Sequence, residues 1–111
     1  MEIKENEFIR TKTGKIDKVI NNNYYMSQYI ECEKRIVEKE NIVKHSFNII
    51  DLIEVGDFVN ENEVIDKYLF NGEIPVLETT GDETNAKCMC EGDIKTILTH
   101  EQYERNCYKI N

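Results

Sequence analysis

Cys88-Met-Cys90, His100 and Cys107 are residues whose types could together hold a metal ion. Structural zinc sites use Cys-x-x-Cys knuckles, because two intervening residues let both sulfurs face one ion. Cys-x-Cys has a single intervening residue, and on a strand both thiols would point to the same side of the sheet. The spacing departs from the zinc pattern. The expectation is reduced, partly buried thiols with neither metal nor disulfide. Cys32 lies in Glu-Cys-Glu-Lys, where the flanking acids raise the thiol pKa and disfavour a thiolate nucleophile. His45-Ser46, with Asp51 close by, has the residue types of a hydrolytic triad. A triad is a three-dimensional arrangement, however, so adjacency supports a packing or capping role instead. The five glycines are scattered and form no phosphate-binding loop. The sequence therefore calls for no catalytic residue, no metal and no cofactor.

The carboxylates carry the other chemical pattern. Glu31 and Glu33, and Glu38 and Glu40, sit two apart, so on strands each pair would share a face. Asp57, Glu61, Glu63, Asp82 and Glu83 add to them. A sheet face studded with carboxylates resembles a row of phosphates to a basic nucleic-acid-binding protein. These nine residues are the expected partner-binding set.

Composition fits that reading. The 111 residues hold 22 acids against 14 bases, a net charge of −8. The field repels a phosphate backbone, which disfavours direct nucleic-acid binding. The densest basic stretch is Arg10, Lys12, Lys15 and Lys18. Hydrophobic residues make up 40% and charged residues 32%, too apolar for a disordered chain and too polar for a membrane protein. Met1 to Arg10 has no apolar signal-peptide core, so a cytoplasmic protein is expected, folded as a single domain over residues 1–111.

The elements that must position these groups are mostly strands. Residues 7–20 read as a hairpin turning at Gly14, with Phe8, Ile16 and Val19 pointing inward. Asn21 to Asn23 form a loop. Residues 24–40 read as two strands with a turn near Glu33, the second containing Arg35 to Val37; the alternative is a short helix over residues 29–40 with Ile30, Lys34 and Val37 on one side. Ile42 to His45 form a short strand. Ser46 or Asn48 caps a helical turn over Ile49 to Ile53, which Gly56 ends. The apolar cluster of Ile49, Ile50, Leu52 and Ile53 belongs to the core. Residues 57–70 read as strand, turn and strand, and Asn71-Gly72 suits a two-residue hairpin turn. The strand after it carries Pro75, which argues for an edge position. A polar loop follows, with a short strand at Lys87 to Cys90, then another strand at Ile94 to Leu98. Thr99 and Gln102 match a capping box, giving a short helix over His100 to Asn106. Tyr103 and Cys107 would share its buried face, and the last residues would return as a strand.

One phrase occurs twice. Glu7-Phe8-Ile9 and Asp57-Phe58-Val59 each open a segment that later contains Ile-Asp-Lys, at 16–18 and at 65–67. Small SH3-like barrels often begin a strand this way, with an aromatic plugging the barrel end. Two copies suggest two similar hairpins in a bent sheet. The expected fold is mainly β (α+β): a small, strongly bent antiparallel sheet or SH3-like barrel with one short C-terminal helix.

Three blocks, EFIRTKTGKIDKVI, IVKHSFNIIDLIEVGDFVN and IKTILTHEQYERNCYKI, resemble small proteins of phages and prophages in low-GC Firmicutes. They cover roughly half of the chain, and the stretch from Glu61 to Asp93 varies among such proteins. The resemblance implies a setting, a mobile genetic element, and transfers no catalytic residue. The functional expectation is a non-enzymatic accessory protein that binds a host or phage protein, such as a defence inhibitor of the anti-CRISPR or anti-restriction type. Its acidic surface would occlude a basic groove meant for nucleic acid. Two alternatives stand beside it. One is a self-associating phage assembly component. The other is a small metal-dependent regulator using Cys88, Cys90, His100 and Cys107.

Overall fold

The computed structural model describes residues 2–22, 28–82 and 85–106, without the side chains of residues 82 and 85–87. The chain is mainly β and divides into two compact units, Met1–Leu52 and Ile53–Asn111. The final strand expected after residue 106 lies outside the described residues, as do Asn23 to Ser27.

The first unit runs β1 (Phe8–Thr11), β2 (Ile16–Asn21), β3 (Tyr29–Cys32), β4 (Ile36–Glu38), a 3-10 turn (Lys39–Asn41), β5 (Ile42–Ser46) and a second 3-10 turn (Ile49–Leu52). All its strand pairs are antiparallel, in the order β4-β3-β2-β1-β5. The predicted hairpin and the turn after Cys32 are both present. Gly14 has a φ of 85°, the left-handed conformation that the first hairpin's loop requires. Ile3, Ile9, Val19, Ile30, Cys32, Val37 and Ile42 form its core.

The second unit runs β6 (Phe58–Val59), β7 (Asn62–Phe70), β8 (Ile74–Asp82), β9 (Asn85–Met89), a 3-10 turn (Glu91–Asp93), β10 (Ile97–Leu98) and α1 (His100–Asn106). Its order is β10-β6-β7-β8-β9. Read from the other edge, this is the order of the first unit. Both units thus have five strands in the same order, with a 3-10 turn between the fourth and fifth. The outermost strands are edges, β4 and β5 in one sheet and β9 and β10 in the other, so both sheets are open. Where one bent sheet was expected there are two.

The likeness extends to single hydrogen bonds. In the first unit the Glu7 amide donates to Lys4 O, the Asn6 amide to Val19 O and the Val19 amide to Glu7 O. In the second the Asp57 amide donates to Glu54 O, the Gly56 amide to Val64 O and the Val64 amide to Asp57 O. Asn6 and Gly56 both have positive φ, 72° and 99°. The register shifts in the same place, between Val19 and Asn21 on β2 and between Val64 and Asp66 on β7. Such a bulge bends the strand that carries it. Val19 and Val64 are both fully buried, as are Ile30 of β3 and Leu77 of β8 beside them.

The repeated phrase is thus structurally true in its first half only. Glu7-Phe8-Ile9 corresponds to Asp57-Phe58-Val59. The Ile-Asp-Lys triplets do not correspond, because the β6–β7 turn is shorter, with Asn60 and Glu61 both at positive φ. Asp17 stands opposite Ile9, whereas Asp66 stands opposite Glu78.

Several finer expectations are corrected. Ile9 and Val19 point inward, while Phe8 and Ile16 are only half-buried. β1 is buried on both sides, because Arg10 lies inside and donates from Nη1 to Leu52 O at 2.9 Å. The cluster near residue 50 is core at Ile50, Leu52 and Ile53, with Ile49 half-buried. The loop after Phe70 has three residues, since Phe70 pairs with Ile74. β8 is not an edge strand, yet β9 reaches only to Leu77, so Pro75 lies past the end of its neighbour. Gly81 falls within β8, which runs on to Asp82 where a loop was expected.

Candidate functional site

Each unit is tied at its start by a buried acid. The Lys4 amide donates to Glu7 Oε2 at 2.7 Å, and His45 Nδ1 donates to Glu7 Oε1 at 2.9 Å. In the second unit the Glu54 amide donates to Asp57 Oδ2 at 2.7 Å, and the His100 amide to Asp57 Oδ1 at 2.9 Å. A buried carboxylate is tolerable only when it is hydrogen-bonded in this way. Burial alone would raise the Glu7 pKa. The Lys4 amide and the His45 imidazole outweigh it, and the carboxyl sits below its ordinary value. Asp57 is fully buried, so it cannot meet a partner as the sequence suggested. It is a structural acceptor.

The other expected partner-binding acids fall into separate groups. Glu31 lies on the outward face of β3, but Glu33 lies in the turn beyond it and Glu40 in a 3-10 turn, so the two pairs do not share strand faces. Glu38 and Glu40 meet beside Gln28 and Tyr29 at the rim of a shallow cleft. Glu61 and Glu63 are exposed at the β6–β7 turn. Asp82 ends β8, and Glu83 lies outside the described residues. The basic stretch is also divided. Arg10 is interior, while Lys12 and Lys15 line an open cleft of about 350 Å³ together with Tyr29, Arg35 and Glu38.

No nucleophile–base pair forms from the His45-Ser46 segment. His45 turns to Glu7, while Ser46 Oγ donates to Asp51 Oδ2 at 2.6 Å and accepts from the Asn48 amide at 3.0 Å. The Ser46 hydroxyl thus closes a local turn just before the 3-10 turn at Ile49. Cys32 is buried, and burial first, then the nearby Asp17 charge, pushes its pKa up to about 11. It is a thiol at neutral pH and a poor nucleophile. Cys88 and Cys90 are exposed and free, and Cys107 lies outside the described residues.

The capping box is formed: the Thr99 amide donates to Gln102 Oε1, and the Gln102 amide to Thr99 Oγ1. No residue of α1 is buried. Tyr103 is 45% exposed and packs on Phe58 with ring centroids 4.8 Å apart, which is less than the buried helix face expected.

Sequence reasoning missed two features. One is the far end of the β7–β8 hairpin. Over Tyr68–Phe70 and Ile74–Val76 it is a two-stranded ribbon, with neither β6 nor β9 alongside. Leu69, Phe70 and Ile74 are 57%, 53% and 48% exposed. Near its root, Asp66 stands directly opposite Glu78, a like-charge pair that opposes strand pairing. The Tyr68 hydroxyl lies 3.7 Å from Cys88 Sγ, and that hydrogen bond first, then Cys88, burial, Glu78 and Asp66, raises the phenol pKa. The run of apolar residues from 68 to 76 was the available signal, but it reads equally well as a buried strand. The other feature groups His100 with Glu54 and Glu101. Among the described residues these form the one metal-competent group of three.

No helix among the described residues is long and apolar enough to cross a membrane. No family model, curated protein or solved structure matches the chain.

Proposed function

We propose that the chain is a non-enzymatic binding protein whose β7–β8 ribbon docks into an apolar cleft of a partner protein edged by lysine and arginine. The observation that carries this is the exposed trio of Leu69, Phe70 and Ile74 at the end of a ribbon that no neighbouring strand covers. Exposed apolar residues gathered together in this way mark interaction sites. Charge sets the partner's rim. Asp66, Glu73 and Glu78 flank the ribbon, and the one cation among them, Lys67, is spent donating to Ile53 O at 3.0 Å. A basic rim therefore complements it, consistent with the net charge of −8.

The resemblance to phage and prophage proteins supports a setting in the host cytoplasm. A defence inhibitor of the anti-CRISPR or anti-restriction type is the form of this function that joins that setting to an acidic surface. Occlusion of a nucleic-acid groove would then use the ribbon as anchor and Glu61 and Glu63 as supporting charges.

Affinity capture from host lysate, with Phe70→Asp and Leu69→Asp run in parallel, tests the proposal. Both side chains are exposed, so the variants should melt with the wild type. The expected result is a basic partner whose binding weakens with salt and falls at least tenfold in either variant. A partner indifferent to both variants, or none at all, defeats the proposal. A concentration-dependent dimer abolished by Phe70→Asp would move the reading to a self-associating assembly component.

A further inference from the structure

We propose that Glu54, His100 and Glu101 form a site for one divalent transition-metal ion of borderline hardness, best matched by Zn²⁺. His100 Nε2 lies 3.0 Å from Glu54 Oε1 and 3.5 Å from Glu101 Oε1, and the three donor atoms all fall within 4.8 Å of one another. Donors bound to a tetrahedral ion at about 2.0–2.2 Å stand about 3.3–3.6 Å apart, so the spacing already approximates an occupied site. One nitrogen and two carboxylate oxygens select zinc, manganese, cobalt or nickel over soft copper(I), and over calcium, which takes oxygen alone. The side chains are 31%, 37% and 25% exposed for Glu54, His100 and Glu101, so water can complete the coordination.

Two further observations set the trio apart from a chance surface ion pair. First, buried Asp57 holds both backbones that carry the ligands, through the amides of Glu54 and His100. The site is supported from behind, as metal ligands need. Second, the first unit builds the same frame without these side chains. Lys4 stands where Glu54 does, because both amides donate to the buried acid. The pairing of Phe8 with Ser46 and of Phe58 with Leu98 puts Asn48 and Ile49 at the positions of His100 and Glu101. The fold does not require a carboxylate–imidazole–carboxylate group at this corner, and the second unit alone has one. A bound ion would pin the start of α1 to the turn that precedes β6.

The test uses the metal-free full chain titrated with ZnCl₂ by calorimetry, with thermal unfolding in parallel and cobalt absorption as a ligand signature. The expectation is one equivalent bound, and a rise of about 10 °C in melting temperature at a hundredfold excess over Kd. The Co²⁺ complex should show weak visible bands without thiolate charge transfer. Glu101→Gln and His100→Gln should each weaken binding at least tenfold. Both keep the bond from the His100 backbone amide to Asp57. Cys88→Ser/Cys90→Ser should leave binding unchanged. Absence of binding overturns the proposal. So does binding that survives Glu101→Gln and His100→Gln, or that disappears with the two thiols.

Discussion

Replacing Asp57 should be the most damaging single change in the second unit. Its carboxylate accepts the Glu54 amide at 2.7 Å and the His100 amide at 2.9 Å, and it has no exposure to water. Hydrogen bonds to a charged group contribute about 1.5–3 kcal/mol each, and donors left buried without an acceptor add to the loss. Asp57→Ala removes both acceptors, so its cost is about 3–5 kcal/mol, a large share of a small domain's stability. Asp57→Asn keeps one acceptor and turns an amide N–H toward the other donor, costing about half as much. Urea unfolding followed by far-UV circular dichroism reads both. With a slope of about 1–3 kcal/mol per molar, the midpoint should fall by about 2 M for Ala and about 1 M for Asn. Hydrogen exchange gives the local check, since the amides of Glu54 and His100 should lose protection first. If Ala and Asn shift the midpoint equally, or if those two amides stay protected, the carboxylate is not what ties the turn to the helix.

The remaining predictions concern single groups. The Glu7 pKa is lowered on folding from an ordinary value of 4.5, so the unfolded chain binds its proton first as pH falls. Its contribution is therefore complete above that value and lost as pH drops through the folded value; the urea midpoint should decline over this acid range, and less steeply in Glu7→Gln. Gly56 has a φ of 99° and open van der Waals room, with His100 Cβ 3.8 Å from where a Cβ would sit, so Gly56→Ala should cost about 1–2 kcal/mol through backbone strain alone. Asparagine holds the matching position in the first unit, so Gly56→Asn should cost less in the same melting assay, and a reversed order would break the equivalence of the two turns. Iodoacetamide at pH 8 should modify Cys88 and Cys90 in the native protein and leave Cys32 intact until urea is added, read by peptide mass spectrometry.

Local grammar makes much of the fold legible in the sequence. The Thr99–Gln102 box started a helix where expected, and turns at Gly14 and at Asn71-Gly72 separated strands, the second with three loop residues in place of two, whereas Gly81 fell inside a strand. Facing was harder to read. Phe8 and Ile16 look like inward residues by hydrophobicity, but β1 is covered on both sides, because the Arg10 guanidinium finds a carbonyl inside. Alternation carries no information for such a strand. Asp57 reads as a surface charge in the sequence, because a side chain gives no sign that two distant amides will converge on it. The repeat was visible in three residues and misleading in the next three, since a shorter turn changed the phase while the bulge and the buried valine kept theirs. The metal-competent trio was out of reach for the same reason as Asp57. Glu54 and His100 lie 46 positions apart, and only the pairing of β6 with β10 brings them together.

The tip of the ribbon, residues 68–75, lies past the last pairing of β9 and beyond the buried Val76 and Leu77. The buried acid, the left-handed turn and the bulge all lie on the near side of Asp66 and Glu78, and they recur in the first unit around a different intervening sequence. On the proposed function, rewriting about eight residues between these anchors would re-aim the protein, much as antibody loops change on a constant scaffold. Exchange of the 68–75 segment should leave the architecture that displays it undisturbed.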